Sequence, residues 1–120
     1  MIAKTTTRAP MTGDHAQTIA QLNDAFRRGA GGGRLAITAG VMALGGRALI
    51  DIMAAVQTYD AFNVDNNPHG EHDFASLTWR RERLFWKIDC YDRRLEFGSP
   101  DPADPSVTTR VLTIMLASEY

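Results

Sequence analysis

Residues 74–91 read Phe-Ala-Ser-Leu-Thr-Trp-Arg-Arg-Glu-Arg-Leu-Phe-Trp-Lys-Ile-Asp-Cys-Tyr, and this stretch decides the fold. Phe74 to Trp79 and Leu84 to Tyr91 are rich in aromatic and β-branched residues, which suit a pleated, half-buried surface. Arg80 to Arg83 make the turn between them, and its charge discourages pairing with a foreign strand. A strand points successive side chains to opposite faces. Leu84, Trp86, Ile88 and Cys90 therefore share the face predicted to meet the core, and Phe85, Lys87, Asp89 and Tyr91 share a mixed outer face. Asp92-Arg93 then leads into a short third strand predicted over Leu95 to Phe97.

Working outward, Asn63 to His72 is a polar connection whose Asn67-Pro68 and Gly70 are turn formers. Before it, Leu49, Ile52, Met53, Val56, Tyr59 and Phe62 form one apolar stripe, predicting a helix from about Arg47 to Phe62. Leu35, Ile37 and Val41 predict a short strand in which Gly40 marks a bulge or a close approach. Ile19, Leu22 and Phe26 recur at helical spacing behind an Asp14 N-cap with Gln17 as its box partner. Arg27 and Arg28 close that helix, where cations suit its dipole. Residues 1–13 read as a loose arm, and 14–120 as a single domain.

On the other side, Asp104 and Pro105 are an N-cap and a first helical residue. Val107, Val111, Leu112, Ile114, Met115 and Leu116 then predict a final helix, apolar on more than one face and deep in the core. The expected class is α+β, with three main helices packed on a small antiparallel sheet in the order α-β-α-β-β-β-α.

The chain has 120 residues, 44% of them hydrophobic and 22% charged. A single domain of this length buries about two thirds of its unfolded surface, so neither a metal nor a disulfide is required for a core. The net charge of −1 supplies no basic excess for non-specific nucleic-acid binding. The lone Cys90 allows no internal disulfide and favours a reducing, cytoplasmic setting. Lys4 and Arg8 are followed by no apolar run, so a signal peptide is not expected, and no stretch reaches the length of a membrane span. Charge is unevenly placed. Asp51, Asp60, Asp65, Glu71 and Asp73 lie between Arg47 and Arg80 with no basic residue among them, whereas Arg80 to Arg94 is predominantly basic. Such polarity can steer a charged partner.

The densest set of chemically capable side chains is Asp65-Asn66-Asn67-Pro68-His69-Gly70-Glu71-His72-Asp73. Imidazole and carboxylate can hold zinc, iron or manganese, which makes His69, His72 and Asp73 weak candidate ligands with Glu71 as a general base. No cysteine joins them, and a closed site needs further ligands from elsewhere. The blander reading is a turn whose side chains cap its neighbours. Trp79, Arg80, Arg81, Arg83, Phe85, Trp86 and Lys87 interleave bases with aromatics, as a nucleic-acid surface would. Trp86 falls on the core face, which weakens that reading. Asp73, Glu82 and Lys87 are wrongly spaced for the metal site of restriction-type nucleases. Gly29 to Gly33 follows a helix and lacks the Gly-Lys-Ser/Thr ending, so it is a flexible hinge rather than a phosphate loop. Cys90 reads as a buried, inert thiol.

Six segments together resemble one family: Leu-Asn-Asp-Ala-Phe-Arg (22–27), Ile-Thr-Ala-Gly-Val (37–41), Tyr-Asp-Ala-Phe (59–62), Asp-Asn-Asn-Pro-His-Gly-Glu-His-Asp-Phe (65–74), Phe-Trp-Lys-Ile-Asp (85–89), and Phe-Gly-Ser-Pro-Asp-Pro-Ala-Asp-Pro through Arg-Val-Leu-Thr-Ile-Met-Leu (97–116). That family is a domain-of-unknown-function group of small bacterial proteins, often carried on plasmids and integrative elements. The resemblance spans about residues 14–120. The chain departs from it at Arg80-Arg81, where a less basic tip is expected, and at Cys90, where an aromatic is expected. The resemblance transfers no activity and implies an accessory role for mobile DNA.

The resulting expectation is a non-enzymatic interaction protein without a cofactor, with a protein partner, and with an anti-defence inhibitor as its most specific form. Its candidate partner-binding residues are Asp65, Asn66, His69, Glu71, His72, Asp73, Arg80, Arg81, Arg83 and Lys87. The alternatives are a metal-assisted hydrolase or nuclease using the 65–73 loop, and a nucleic-acid-binding factor using the basic hairpin.

Overall fold

A computed structural model of the protein describes residues 12–120. The chain runs α1 (Thr12–Arg27), β1 (Arg34–Ile37), a short α2 (Ala39–Met42), α3 (Gly46–Thr58), β2 (Phe74–Trp79), β3 (Glu82–Tyr91), a 3-10 turn (Pro105–Val107), β4 (Thr109–Leu116) and a second 3-10 turn (Ala117–Glu119). The strands form one mixed sheet in the order β1-β4-β3-β2. The α+β class is as expected from the sequence. Of the expected arm, residues 1–11 lie outside the described part, and Thr12 and Gly13 belong to α1.

The hairpin forms as its alternation demands. β2 and β3 are antiparallel, with Trp79 opposite Glu82 across a tight turn at Arg80-Arg81. Leu84, Trp86 and Ile88 are buried and Cys90 is half-buried on the helix-covered face. Ala75 lies opposite Trp86, and its small side chain leaves room for the indole.

Three expectations are corrected. The final apolar segment is a strand, β4, rather than a helix. Its Thr109, Val111, Thr113 and Ile114 are β-branched, which stiffens the side chains and favours an extended backbone. It is an inner strand, antiparallel to β3 and parallel to β1, with Arg110, Leu112 and Ile114 buried on one face and Met115 on the other. The parallel pairing also makes the sheet mixed, where an all-antiparallel sheet was expected. The third strand at Leu95 to Phe97 is instead a tight turn. The Asp92 carboxylate accepts from the amides of Arg94 and Glu96, Leu95 takes a left-handed conformation, and Tyr91 makes a lone bridge with Gly98. Asp104 does cap as expected, accepting from the Ser106 amide, although the element it starts is the 3-10 turn at Pro105.

The core joins Ile52 and Val56 of α3 to Leu84, Trp86, Leu112 and Ile114 of the sheet. Each such side chain contributes about 1.5–3 kcal/mol on burial. α1 ends in a Schellman motif. Gly29, at φ 105, donates to the Phe26 carbonyl, and Ala30 donates back to Ala25.

Gly33 allows the chain to enter β1. A Cβ there would run into the Phe26 ring and lie 2.8 Å from the Arg110 carbonyl oxygen. Gly33→Ala is expected to destabilise the fold by about 1–3 kcal/mol, measured by urea unfolding. Gly40 is a close approach, with its Cβ direction facing Glu119 and Leu116, but it and Val41 lie in α2 rather than in the expected strand, which ends at Ile37. Glu119 accepts hydrogen bonds from the Thr38 hydroxyl (2.6 Å), the Leu116 amide (2.8 Å) and the Gly40 amide (3.0 Å). The Thr38 hydroxyl foremost, then these amides, hold its carboxyl below the usual glutamate range. A lowered folded pKa means the stabilisation is complete above the ordinary glutamate pKa and is lost as pH falls through the folded value. Glu119→Gln should therefore melt below the unsubstituted protein at neutral pH, and the gap should close in acid, as thermal melts at several pH values would reveal.

Candidate functional site

The 59–73 connection is braced by its own amides and by α1. The Asn63 carboxamide oxygen accepts from the amides of Asp65 (2.9 Å) and Asn66 (3.0 Å). Asn66 returns a bond by accepting from the Asn63 amide at 2.9 Å, and its Nδ2 donates to the Ala61 carbonyl. The Asn67 side chain accepts from the His72 amide at 3.0 Å. Short amide side chains imitate backbone turns in this way. Gly70 (φ 72) and His72 (φ 54) supply the left-handed bends. For histidine that conformation is uncommon and costs energy, so the contacts around it must hold it in place.

Those contacts come from α1. The His72 Nδ1 lies 3.0 Å from both Asp24 carboxylate oxygens, and its ring stacks on Phe62 with centroids 3.9 Å apart. Asp24 also accepts from Arg27 at 2.7 Å. Arg27 is only 1% exposed. Its Nη1 donates to the carbonyls of Val56 (2.6 Å) and Tyr59 (3.0 Å), satisfying the open end of α3. Its guanidinium sits over the Trp86 ring at 4.9 Å and the Phe62 ring at 5.6 Å. A closed circuit thus runs Trp86, Phe62, His72, Asp24, Arg27 and back. Beside it, the Asn23 Nδ2 donates to the Glu71 carbonyl at 2.9 Å, and the Asn23 Oδ1 accepts from the Arg110 Nε at 2.7 Å.

The candidate residues therefore divide. Asp65, Asn66 and His69 are exposed on the braced loop, while Glu71, His72 and Asp73 are half-buried where it rejoins the sheet. Val64 stands 83% exposed beside them, and no sequence pattern singles it out. Among the described residues, no group of three His, Cys, Asp or Glu side chains is arranged to hold a metal ion. The three candidate ligands His69, His72 and Asp73 do not form such a group, and the His72 Nδ1 faces Asp24.

The basic hairpin is largely folded back on itself. The Arg80 guanidinium covers the Trp79 ring at 4.6 Å, and the Trp79 Nε1 donates to Asp51. Arg83 covers Phe85, Lys87 pairs with Asp89 at 2.9 Å, and Arg81 is exposed. The hydrogen bond from Lys87 to Asp89 raises the lysine pKa. Phe85 packs with Phe74 and Tyr120 on the face of the sheet opposite the helices. Burial pushes the Cys90 thiol up, against a smaller opposing effect of Arg110, which makes it a poor nucleophile.

The residues missed from sequence are Asn23, Asp24, Arg27 and Arg110. All four are polar, and a reading that equates the core with apolar side chains passes over them.

A family model described as a protein of unknown function, DUF3768, matches residues 37–119. The chain belongs to that family. The DUF3768 match starts at Ile37, later than the sequence resemblance suggested, and α1 precedes it. Yet Arg27 of α1 fills the middle of the DUF3768 core, so in this chain the helix is integral to the domain. No curated protein and no solved structure matches the chain. Among the described residues, no helix is long and apolar enough to cross a membrane.

Proposed function

We propose that this DUF3768 protein is a non-enzymatic, cytoplasmic interaction protein that docks on a protein partner through its 59–73 loop. The observation that carries this reading is the bracing of the loop. The asparagine turns and the Asp24–His72 contact hold Val64, Asp65, Asn66 and His69 outward in one conformation. A surface ordered before binding avoids much of the entropic cost of association. An exposed apolar side chain set among polar neighbours also has the anatomy of a small interface. The acidic residues around it would set the association rate more than the final affinity. The sequence resemblance to proteins borne on plasmids and integrative elements favours a host or defence complex as the partner, with inhibition as the outcome.

Metal-assisted hydrolysis has less support, because the His, Cys, Asp and Glu side chains of the described residues form no group arranged to hold an ion. Nucleic-acid binding has less support, because Lys87, Arg80 and Arg83 already have intramolecular companions. The test is affinity capture with the tagged full chain at near-physiological salt. A specific protein should be recovered with the unsubstituted chain and lost with Val64→Asp combined with Asp65→Lys, while the melting temperature of the variant stays unchanged. Recovery of no protein, or equal recovery with the variant, would end the proposal.

A further inference from the structure

A pocket of about 490 Å³ lies between α1, the glycine-rich segment after it and the start of β4, and shares no lining residue with the 59–73 loop. Its existence follows from an inversion in α1. The helix buries polar Asn23 and Arg27 and leaves apolar Leu22 and Phe26 half-exposed. Leu22, Ala25 and Phe26 consequently line the pocket together with Pro105, Phe26 also resting against the core. This side of the pocket is apolar.

The rest of the lining is rich in donors. Arg93 and Arg110 both line the pocket, and no carboxylate does among the described residues. Arg110 is only 6% exposed, and its orientation is fixed by its Nε bond to Asn23 and its Nη2 bond to the Pro102 carbonyl. Its Nη1 has no acceptor among the described residues. Gly31 and Gly32 complete the lining. Their amides make no hydrogen bond to another described residue, and a Cβ at either would meet nothing within 4 Å. A guanidinium held in place, a second one in the same lining whose Nη1 lies 3.4 Å from the Ser106 carbonyl, and free backbone amides form a donor-rich surface suited to a carboxylate or a phosphate. The volume is that of a small-ligand site, which commonly joins apolar walls to a few convergent polar groups.

We propose that this pocket binds a small organic anion, its apolar body against Leu22 and Phe26 and its carboxylate or phosphate head toward Arg93 and Arg110. The glycine-rich segment, read from sequence as a hinge, is then one wall of a binding site. It differs from a nucleotide phosphate loop because the charge comes from arginines on other segments.

The test is a titration of the full chain with benzoate, phenyl phosphate and neutral benzamide at constant ionic strength, followed by amide NMR. Both anions should give saturable shifts at Gly31 and Gly32, and benzamide should give none. The tighter of the two anions assigns the head group. Arg93→Gln should weaken anion binding about fivefold or more while leaving the fold intact, because Arg93 is exposed. Three results would overturn the proposal: no saturable shift up to about 10 mM anion, a range that would detect even weak millimolar binding; equal shifts with benzamide; or unchanged affinity in Arg93→Gln.

Discussion

Replacing Arg27 with alanine should lower the unfolding free energy by about 3–5 kcal/mol, the scale for removing one partner of a buried ion pair. The loss has several sources. The Asp24 carboxylate keeps only His72 as a partner, and the carbonyls of Val56 and Tyr59 lose their shared donor at the end of α3. The space between Phe62 and Trp86 is also left empty. Much of the penalty is the stranded carboxylate rather than the worth of the pair itself. Arg27→Leu combined with Asp24→Asn should therefore recover part of what Arg27→Ala loses, although each single change is destabilising. Arg27→Lys should not substitute well, since a single ammonium cannot reproduce the planar fork that reaches both Asp24 and the two carbonyls. Urea unfolding with a shared slope gives all of these values.

The second large effect is expected at Trp86. Its ring is fully buried and packs against Tyr59 and Phe62 with edge contacts at 5.9 and 6.1 Å. Trp86→Ala should cost about 3–5 kcal/mol through lost burial and the remaining cavity. Trp86→Phe should cost much less, because it keeps an aromatic face under Arg27 and removes an indole Nε1 that has no hydrogen-bond partner among the described residues. The two sites touch, so the Arg27→Ala and Trp86→Ala losses should not add. The double variant is expected to fall short of their sum by more than about 0.5 kcal/mol. Additive losses would mean that the guanidinium and the indole are energetically independent.

These residues also mark the limits of what the sequence reveals. The hairpin was legible because alternation with a period of two leaves Leu84, Trp86 and Ile88 one choice of face. The α3 stripe was legible for the corresponding helical reason. β4 was misread because apolar residues stand on both of its faces, and a short apolar run then fits a buried helix as well, although burial does alternate from Thr109 to Ile114. Its β-branched content was the better guide. In α1, the buried positions Ile19, Ala20, Asn23 and Arg27 keep helical spacing, but two of them are polar. The turn chemistry of Asn63, Asn66 and Asn67 is local and could be read from residue types. The contact between Asp24 and His72 joins positions far apart in the chain, and no local pattern announces it.

In the 59–73 connection the His72 Nδ1 contacts Asp24 of α1, and the proposed docking role requires no ion there. Zinc titration followed through the imidazole resonances of His69 and His72 tests this most directly. The expected result is that the His72 ring stays hydrogen-bonded to Asp24 and unperturbed at stoichiometric zinc. Joint movement of both rings, saturating at stoichiometric metal, would contradict it.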